Sequence, residues 1–438
     1  MTSRLGDEAE HRSEAGRGAP GHGSSCMKTW QSVWILIPLV LLSLSTRVTH
    51  AEDSSGDADS SDRARWQPHL DVRARYELAD SGDREKAQAA TLRGRAGLTT
   101  PRWQGLSGFG AVELAQALDT TSYQAASVSG RGRNLTIIAD PESTEIHELG
   151  VRWSGETGSF ALGRQSIVLD GARFVGDVGW RQNAQSYDAA VGQLEVLDKL
   201  TVQAAHIWRV NRIFGSGRAA VPGQRDFDSR SFLLHADYVR FPEAQLAGYA
   251  YRLDLRNAAG GDASNSTLGL RLKGERNTAT VSLAYHLELA RQVDAASSTL
   301  DYRADYAHAR ISGRAAGVTV GAGYELLGGD RGVGFQTPLA TLHKYNGFAD
   351  VFLTTPSAGL ADRYGWLQVP LPLRAALTVA HHDFVADDSR GDFGRELDLV
   401  LGCPLPLGLR GTIKYAAFTS ESALPDLRRL VVQIELRR

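Results

Sequence analysis

Cysteine, methionine and lysine are scarce in this chain of 438 residues. Two cysteines are present, Cys26 and Cys403, and only six of the 48 lysine and arginine residues are lysine. Cys26 precedes the mature chain predicted below, and the one thiol left cannot form an internal disulfide. The formal net charge of −2 argues against a general nucleic-acid-binding protein.

Long apolar runs are also scarce, and the only clear one lies near the N-terminus. Val33–Leu44 follows Met27 and Lys28, and a small residue stands at both key positions of Thr49-His50-Ala51. This pattern predicts a secretory signal peptide, since the run is too short to span a bilayer. We interpret residues 1–26 as an extension before the true start, so that the extension and the signal peptide together make up residues 1–51 and are absent from the mature protein. Residues 52–65 are expected to be a disordered leader, and 66–438 the folded domain.

Helical periodicity is nearly absent, and apolar and polar residues alternate with a period of two from Trp66 onward. Clear examples are residues 70–78, 281–289 and 430–436. Most of the predicted strands run about nine to fourteen residues, which suits tilted membrane-spanning strands. A soluble antiparallel sheet can show the same alternation, but it does not require strands of this length.

The connections between the predicted strands alternate between short and long. Short turns are predicted near 101–105, 155–157, 197–199, 241–242, 276–277, 312–314, 370–372 and 404–407, and longer loops near 79–88, 119–143, 168–184, 212–228, 257–264, 292–298, 327–358, 387–393 and 419–427. Seventeen connections join eighteen strands, and short turns opposite long loops are typical of outer-membrane barrels. The sequence therefore predicts an all-β fold, a transmembrane antiparallel β-barrel of about eighteen strands in the cell outer membrane.

The stretch 163–190 carries three arginines and three aspartates. Because buried charge is costly unless it is paired or solvated, these residues indicate a wet interior. A barrel of eighteen strands is wide enough for such a lumen. An aromatic belt at the membrane interfaces is expected from six tryptophans near predicted strand ends: Trp66, Trp103, Trp153, Trp180, Trp208 and Trp366.

Two long motifs resemble the alginate export family of outer-membrane barrels. The first comprises Gly163-Arg164-Gln165, Asp170, Arg173–Gly176, Gly179–Asn183 and Tyr187-Asp188, and the second is the segment 335–350. Weaker matches are His382-Asp383-Phe384 and Glu396-Leu397-Asp398. The resemblance implies an anion-selective, arginine-rich lumen that passes an anionic polysaccharide such as alginate, with periplasmic export partners. The alternatives are an uptake porin for small anionic or other solutes and a barrel-borne hydrolase.

Arginine suits a lumen that binds carboxylates, because its planar guanidinium offers paired donors and keeps its charge. The candidate substrate-binding residues of the lumen are Arg73, Arg75, Arg93, Arg95, Arg164, Asp170, Arg173, Arg181, Asn183, Asp188 and Arg271. The alternative is that such arginines pair with acidic residues and hold the barrel wall.

The longest loop, Gly328–Ala358, carries several apolar residues together with the candidate pore-loop residues His343, Lys344 and Asp350. Because an exposed loop has little reason to carry apolar surface, we expect it to fold into the pore mouth. The alternative is a self-packed cap on the rim.

No metal, other cofactor or enzymatic activity is expected. His381 and His382 are adjacent on a predicted strand and point to opposite faces, so they cannot easily share a metal ion. The chain has no Gly-x-Ser-x-Gly motif that would indicate a hydrolase nucleophile. The expected partners are outer-membrane lipid and an anionic polysaccharide or small anion.

Overall fold

The computed structural model describes residues 65–125, 134–215, 224–241, 243–256, 261–387 and 391–438. The predicted extension, signal peptide and nearly all of the predicted leader lie outside the described residues.

The described residues form eighteen long strands in one sheet. We number them β1 (Gln67–Ser81), β2 (Ala87–Thr99), β3 (Leu106–Ala117), β4 (Ser143–Ser154), β5 (Gly158–Gln165), β6 (Ser186–Leu197), β7 (Leu200–Asn211), β8 (Asp226–Phe241), β9 (Ala244–Leu253), β10 (Asn265–Asn277), β11 (Val281–Asp294), β12 (Arg303–Ala315), β13 (Val318–Leu327), β14 (Leu360–Pro370), β15 (Ala376–Val385), β16 (Asp392–Pro404), β17 (Leu409–Ser420) and β18 (Leu427–Arg437). Each strand pairs antiparallel with the next, and β18 pairs with β1, for example Glu435 with Arg73, so the barrel is closed. Closure leaves no unpaired sheet edge in the bilayer.

The alternation of the sequence separates an apolar outer face from a polar inner face. Leu70, Leu268 and Leu289 point outward and are exposed, whereas Arg73 and Glu288 on the same strands are buried inside the barrel. This arrangement confirms the predicted fold and the outer-membrane location. No helix among the described residues is long and apolar enough to cross a membrane.

Short turns and long loops alternate as predicted, with two turns shifted along the chain. The turn expected at 276–277 lies at 278–280, where the Thr278 side chain binds both the N–H and the carbonyl of Val281. The turn expected at 312–314 lies at 316–317, where Ala316 and Gly317 both have positive φ angles. Two residues of this conformation make the tight turn that matches the twist of a hairpin.

The aromatic belt is only partly formed by the six tryptophans expected in it. Trp66, Trp103, Trp153 and Trp208 are exposed. Trp180 instead lies in a loop packed inside the barrel, and Trp366 points inward because it pairs with Gly321 on the inner face of β13.

Candidate functional site: two loops inside the barrel lumen

Two long loops fold into the barrel and pack against each other. The first lumen loop (166–185) joins β5 to β6, and the second lumen loop (328–359) joins β13 to β14. The backbone N–H of Gly176 donates to the carbonyl of Leu339 at 2.9 Å, and that of Thr341 donates to Ala172 at 2.9 Å. Gly176 permits this approach, because a Cβ atom there would lie 2.5 Å from Thr341 Oγ1. The two loops therefore form one packed unit.

The first lumen loop crosses the barrel. Near its start, Asp170 accepts hydrogen bonds from His235 of β8, at 2.7 Å, and from Arg271 of β10. Ten residues later, the carbonyls of Gly179 and Trp180 accept hydrogen bonds from Arg73 of β1, each at 3.0 Å. Because β1 and β10 stand nine strands apart in a ring of eighteen, the loop spans the lumen from wall to wall.

The second lumen loop is fixed to the wall formed by β13 to β18. Asn346 donates to Glu325 of β13 at 2.8 Å and to Asp362 of β14 at 3.3 Å. The next contacts are made by backbone atoms: the N–H of Phe348 donates to Asp398 at 3.1 Å, and that of Ala349 donates to Glu396 at 2.7 Å. The loop thus adds hydrogen bonds to inward-facing carboxylates, of which Glu325 also pairs with Arg173 and Asp362 with His382.

An apolar centre joins the two loops to the barrel wall. Phe174 of the first lumen loop packs edge-on against Tyr306 of β12, with ring centroids 5.0 Å apart, and it also contacts Phe335 of the second loop at 5.7 Å. Phe335 and Leu339 are completely buried. This packing places the longest loop inside the barrel and against its wall, not in a self-packed cap on the rim.

A polar and aromatic cluster lies on the other side of the same interface. The rings of Trp180 and His343 stack, and Lys414 of β17 places its Nζ 3.9 Å from the centroid of the Trp180 ring. Lys414 donates to His343 Nε2 at 3.1 Å, so the ring's proton is on Nδ1, which donates to Asp350 Oδ1 at 2.8 Å. Asp350 also pairs with Arg181 at 2.6 Å.

Burial and neighbouring charges set the protonation of this cluster. Burial lowers the pKa of His343 to about 3, so the ring is neutral at pH 7 and can accept the Lys414 hydrogen bond. Burial alone would raise the pKa of Asp350, but His343 and Arg181 stabilise the carboxylate and hold its pKa well below the usual range. Burial opposes the charge of Arg181, but Asp350 and other carboxylates raise its pKa above the ordinary value.

Most of the predicted lumen arginines are buried by these loops. Arg73 pairs with Glu435 at 3.1 Å, Arg75 pairs with Asp140 at 3.1 Å, and Arg93 pairs with Asp71 at 2.5 Å. Their side chains are at most 3% exposed. This geometry matches the alternative role of holding the wall and its loops.

The loop arginine Arg173 has a similar position. It pairs with Glu325 at 2.6 Å and donates to Asn346 at 3.3 Å. Burial is the largest influence and opposes its charge, but Glu325, Tyr306 and Tyr345 together raise the pKa of Arg173 above the ordinary value. Arg173 therefore links the first lumen loop both to the wall and to the second loop.

The remaining inward candidates differ in exposure. Arg95 is partly open, with 22% of its side chain exposed beside Glu113. Asn183 is buried and donates to the carbonyl of Ile213 at 3.1 Å. Lys344 is exposed, and its Nζ lies 3.3 Å from the carbonyl of Gly171 in the first lumen loop.

Arg164 and Asp188 were expected in the lumen, and the structure corrects this. The register pairs Arg164 with Asp188 and Leu162 with Ala190, so all four share a face. That face points outward, because Leu162 is exposed while the intervening Tyr187 reaches a loop inside the barrel. The ion pair at 2.6 Å therefore lies on the outer surface.

Sequence reasoning missed a cationic cleft on the inner wall of β10 to β12. Lys273 and Arg310 line a cleft of about 380 Å³ together with His286, Gln245, Ser312 and one carboxylate, Glu275, which accepts from Ser282 at 2.8 Å. Lys273 and Arg310 are exposed, and no carboxylate among the described residues lies within ion-pair distance of either. Arg310 is held 4.2 Å above the Trp366 ring. The signal in the sequence was period-two alternation, which places Lys273 on the same face as Arg271.

Two side-chain clusters of the described residues have ligand atoms spaced closely enough to hold a metal ion, His286–Glu288–His308 and Asp170–His235–Asp237. In the second cluster, the guanidinium of Arg271 already pairs with both aspartates. In the first, Glu288 accepts from Tyr249 at 2.7 Å and lies near the charge of Arg271. His382 is separate from both and pairs with Asp362, while its neighbour His381 is exposed on the other face.

A closed barrel with an apolar exterior, a polar lumen and loops folded inside it is the architecture of outer-membrane β-barrels, the porins among them. No family model matches this chain, and no curated protein matches it. Solved porin structures do match. Pseudomonas aeruginosa OccK9 (OpdG) has a TM-score of 0.68 at 17% identity, covering 85% of this chain and 98% of its own. Acinetobacter baumannii OccAB4 has a TM-score of 0.67 at 10% identity, covering 87% of this chain and 100% of its own. Pseudomonas aeruginosa OpdK, in a structure with vanillate, has a TM-score of 0.66 at 16% identity, covering 85% and 99%.

These comparisons correct the resemblance to the alginate export family. The structural neighbours are Occ and Opd outer-membrane proteins, and they support neither membership in that family nor the export of a polysaccharide. At these identities the likeness establishes the fold alone.

Proposed function

We propose that this protein is a passive channel for small anionic solutes, chiefly carboxylates, and not an enzyme. The observation that carries the proposal is the cationic cleft of Lys273 and Arg310, which remains open to the lumen. Low-dielectric walls focus the field of such charges and raise the local concentration of anions. The buried, paired arginines of the opposite wall contribute less, because their charge is already compensated.

The lumen loops favour small solutes over polymers. The first lumen loop crosses from the wall at β10 to the wall at β1, and the second packs along β13 to β18. A cleft of about 380 Å³ suits a small molecule. OpdK, which shares this fold, has been solved with vanillate, an aromatic carboxylate. A ligand of that class fits the pairing of guanidinium and aromatic ring that Arg310 and Trp366 present.

Ion selectivity of the purified protein in a planar bilayer tests the proposal. The intact channel should prefer chloride over potassium at low salt and lose the preference as salt screens the charges. The double variant Lys273→Glu/Arg310→Glu should reduce or reverse the preference and slow benzoate flux by on the order of tenfold. Arg164→Gln is the matched control, because Arg164 lies on the outer face. Unchanged reversal potentials in the double variant would reject the cleft as the anion site.

A further inference from the structure

The outer face of the barrel carries two adjoining apolar grooves. Groove 1, of about 790 Å³, lies over β5 to β11, and groove 2, of about 930 Å³, lies over β8 to β12. Their walls are outward-facing large residues, including Phe232 and Leu268, and their floors are small residues such as Gly192 and Ala250. Ala250, Leu268 and Arg291 line both grooves, which are therefore continuous.

Arginines gather at the long-loop end of these grooves. Arg252 and Arg291 line groove 1. Strand register places Arg303 of β12 opposite Val293 of β11, one strand from Arg291 and three strands from Arg252 at the same height. Arg291 makes a two-point pair with Asp305 at 2.7 and 3.0 Å. Arg252 and Arg303 are exposed, and they have no carboxylate within ion-pair distance in the described part of the chain. Of the three guanidinium groups, Arg291 alone is held in an ion pair among the described residues, although the carboxylate of Asp330 accepts from the backbone N–H of Arg303 at 2.9 Å.

The positions of these arginines along the strands fix their depth in the membrane. Arg252 is the penultimate residue of β9, and Arg303 is the first residue of β12, both at the ends that carry long loops. Long loops lie on the extracellular side of such barrels. The arginines therefore stand at the headgroup level of the outer leaflet, and the grooves run below them into the hydrocarbon region.

We propose that this surface binds one phosphorylated lipid of the outer leaflet. Its phosphate would be held by Arg252, Arg291 and Arg303, and its acyl chains would lie in the two grooves. Guanidinium groups bind phosphate through paired, charge-assisted hydrogen bonds. Acyl chains gain contacts in a groove whose lining is apolar and whose floor is made of small residues. The site is independent of the lumen and of the proposed solute.

Native mass spectrometry of the full-length barrel in detergent tests this site. The probes are a bis-phosphorylated multi-acyl glucosamine lipid and zwitterionic phosphatidylethanolamine. We expect a one-to-one adduct with the phosphorylated lipid that survives detergent stripping. The double variant Arg252→Gln/Arg303→Gln should weaken it by about tenfold or more, because charge-assisted hydrogen bonds are lost. All of these side chains are exposed, so the barrel should still show its heat-dependent migration in gels.

Two further variants separate the groove from general charge. Arg363→Gln is the control, since Arg363 is exposed and pairs with Asp383 of the neighbouring strand, away from the grooves. It should leave the adduct unchanged. Ala250→Trp should fill the groove and weaken the adduct although every arginine is present. The proposal would be overturned if phosphatidylethanolamine were retained as well as the phosphorylated lipid, or if the double variant retained the phosphorylated lipid in full. A dimer that occupies this face instead of lipid would also overturn it.

Discussion

The imidazole of His343 lies flat against the indole of Trp180, with ring centroids 4.1 Å apart and ring planes 4° from parallel. The two residues belong to different loops, and each loop is attached to a different part of the barrel wall. This stack, with the backbone contacts between Gly176 and Leu339, joins the loops that cross the lumen. The two loops are therefore held together inside the lumen by their own contacts as well as by the strands.

The stack can be tested by a double-mutant cycle. Trp180→Ala and His343→Ala should each loosen the loops, raise open-channel current noise and increase conductance. The double variant should lose less free energy of unfolding than the two single variants lose together. The coupling energy between the two residues should be about 0.5–1.5 kcal/mol, measured by thermal unfolding. Trp103→Ala is the control, because Trp103 is exposed in a short turn. Strictly additive effects would show that the stack contributes nothing of its own.

The protonation of His343 predicts a response to acid. Unfolded histidine has a pKa of about 6.5, whereas the pKa of buried His343 is about 3. The unfolded loop therefore binds more protons between these values, and loop stability is full above pH 6.5 and falls as the pH drops toward 3. Below pH 4 the depressed pKa of Asp350 adds to the loss in the same direction.

Single-channel recordings between pH 7.5 and 4 measure this response. Current noise should stay constant down to about pH 6.5 and rise below it. His343→Phe keeps a ring against Trp180 but cannot titrate, so its noise should be flat between pH 6.5 and 5. The same rise in the variant would assign the response to another group.

Removal of the second lumen loop should widen the channel. Deleting residues 330–355 removes the contacts to Glu325, Glu396 and Asp398, and single-channel conductance should rise while discrimination between small anions and oligosaccharides falls. Shortening the loop 421–426, most of which is exposed, is the control. A folded deletion variant with unchanged conductance would show that this loop does not limit the pore.

The inner face of β13 offers a test that changes no charge. A Cβ atom on Gly321 would lie 2.1 Å from the Trp366 ring, so Gly321→Ala must displace the ring that supports Arg310. We expect a weaker anion preference from reversal potentials, although Lys273 and Arg310 are both retained. Gly402→Ala is the matched control, because a Cβ there would meet no atom within 4 Å. Equal selectivity in both variants would mean that the position of Arg310 is unimportant.

The alternation of apolar and polar residues along the sequence predicted the architecture of this protein. Strand count, the alternation of short turns and long loops, and the polar lumen follow from a period of two, because each residue's face depends only on its neighbours along the strand. The turns predicted at 276–277 and 312–314 were misplaced for reasons that are also local to the chain. There a hydroxyl turn at Thr278 and a turn with positive φ angles at Gly317 decided where the strands reverse.

The chemistry of the lumen was decided by tertiary structure. Arg93 and Lys273 both point inward, yet Arg93 is buried at the wall that the first lumen loop reaches, while Lys273 stays exposed on the far wall. Arg164 lies on the outer face because the register of β5 with β6 sets it beside Asp188. A linear sequence gives the type and spacing of these residues. Which of them a solute can meet depends on how two loops, 162 residues apart at their starts, pack together in the lumen.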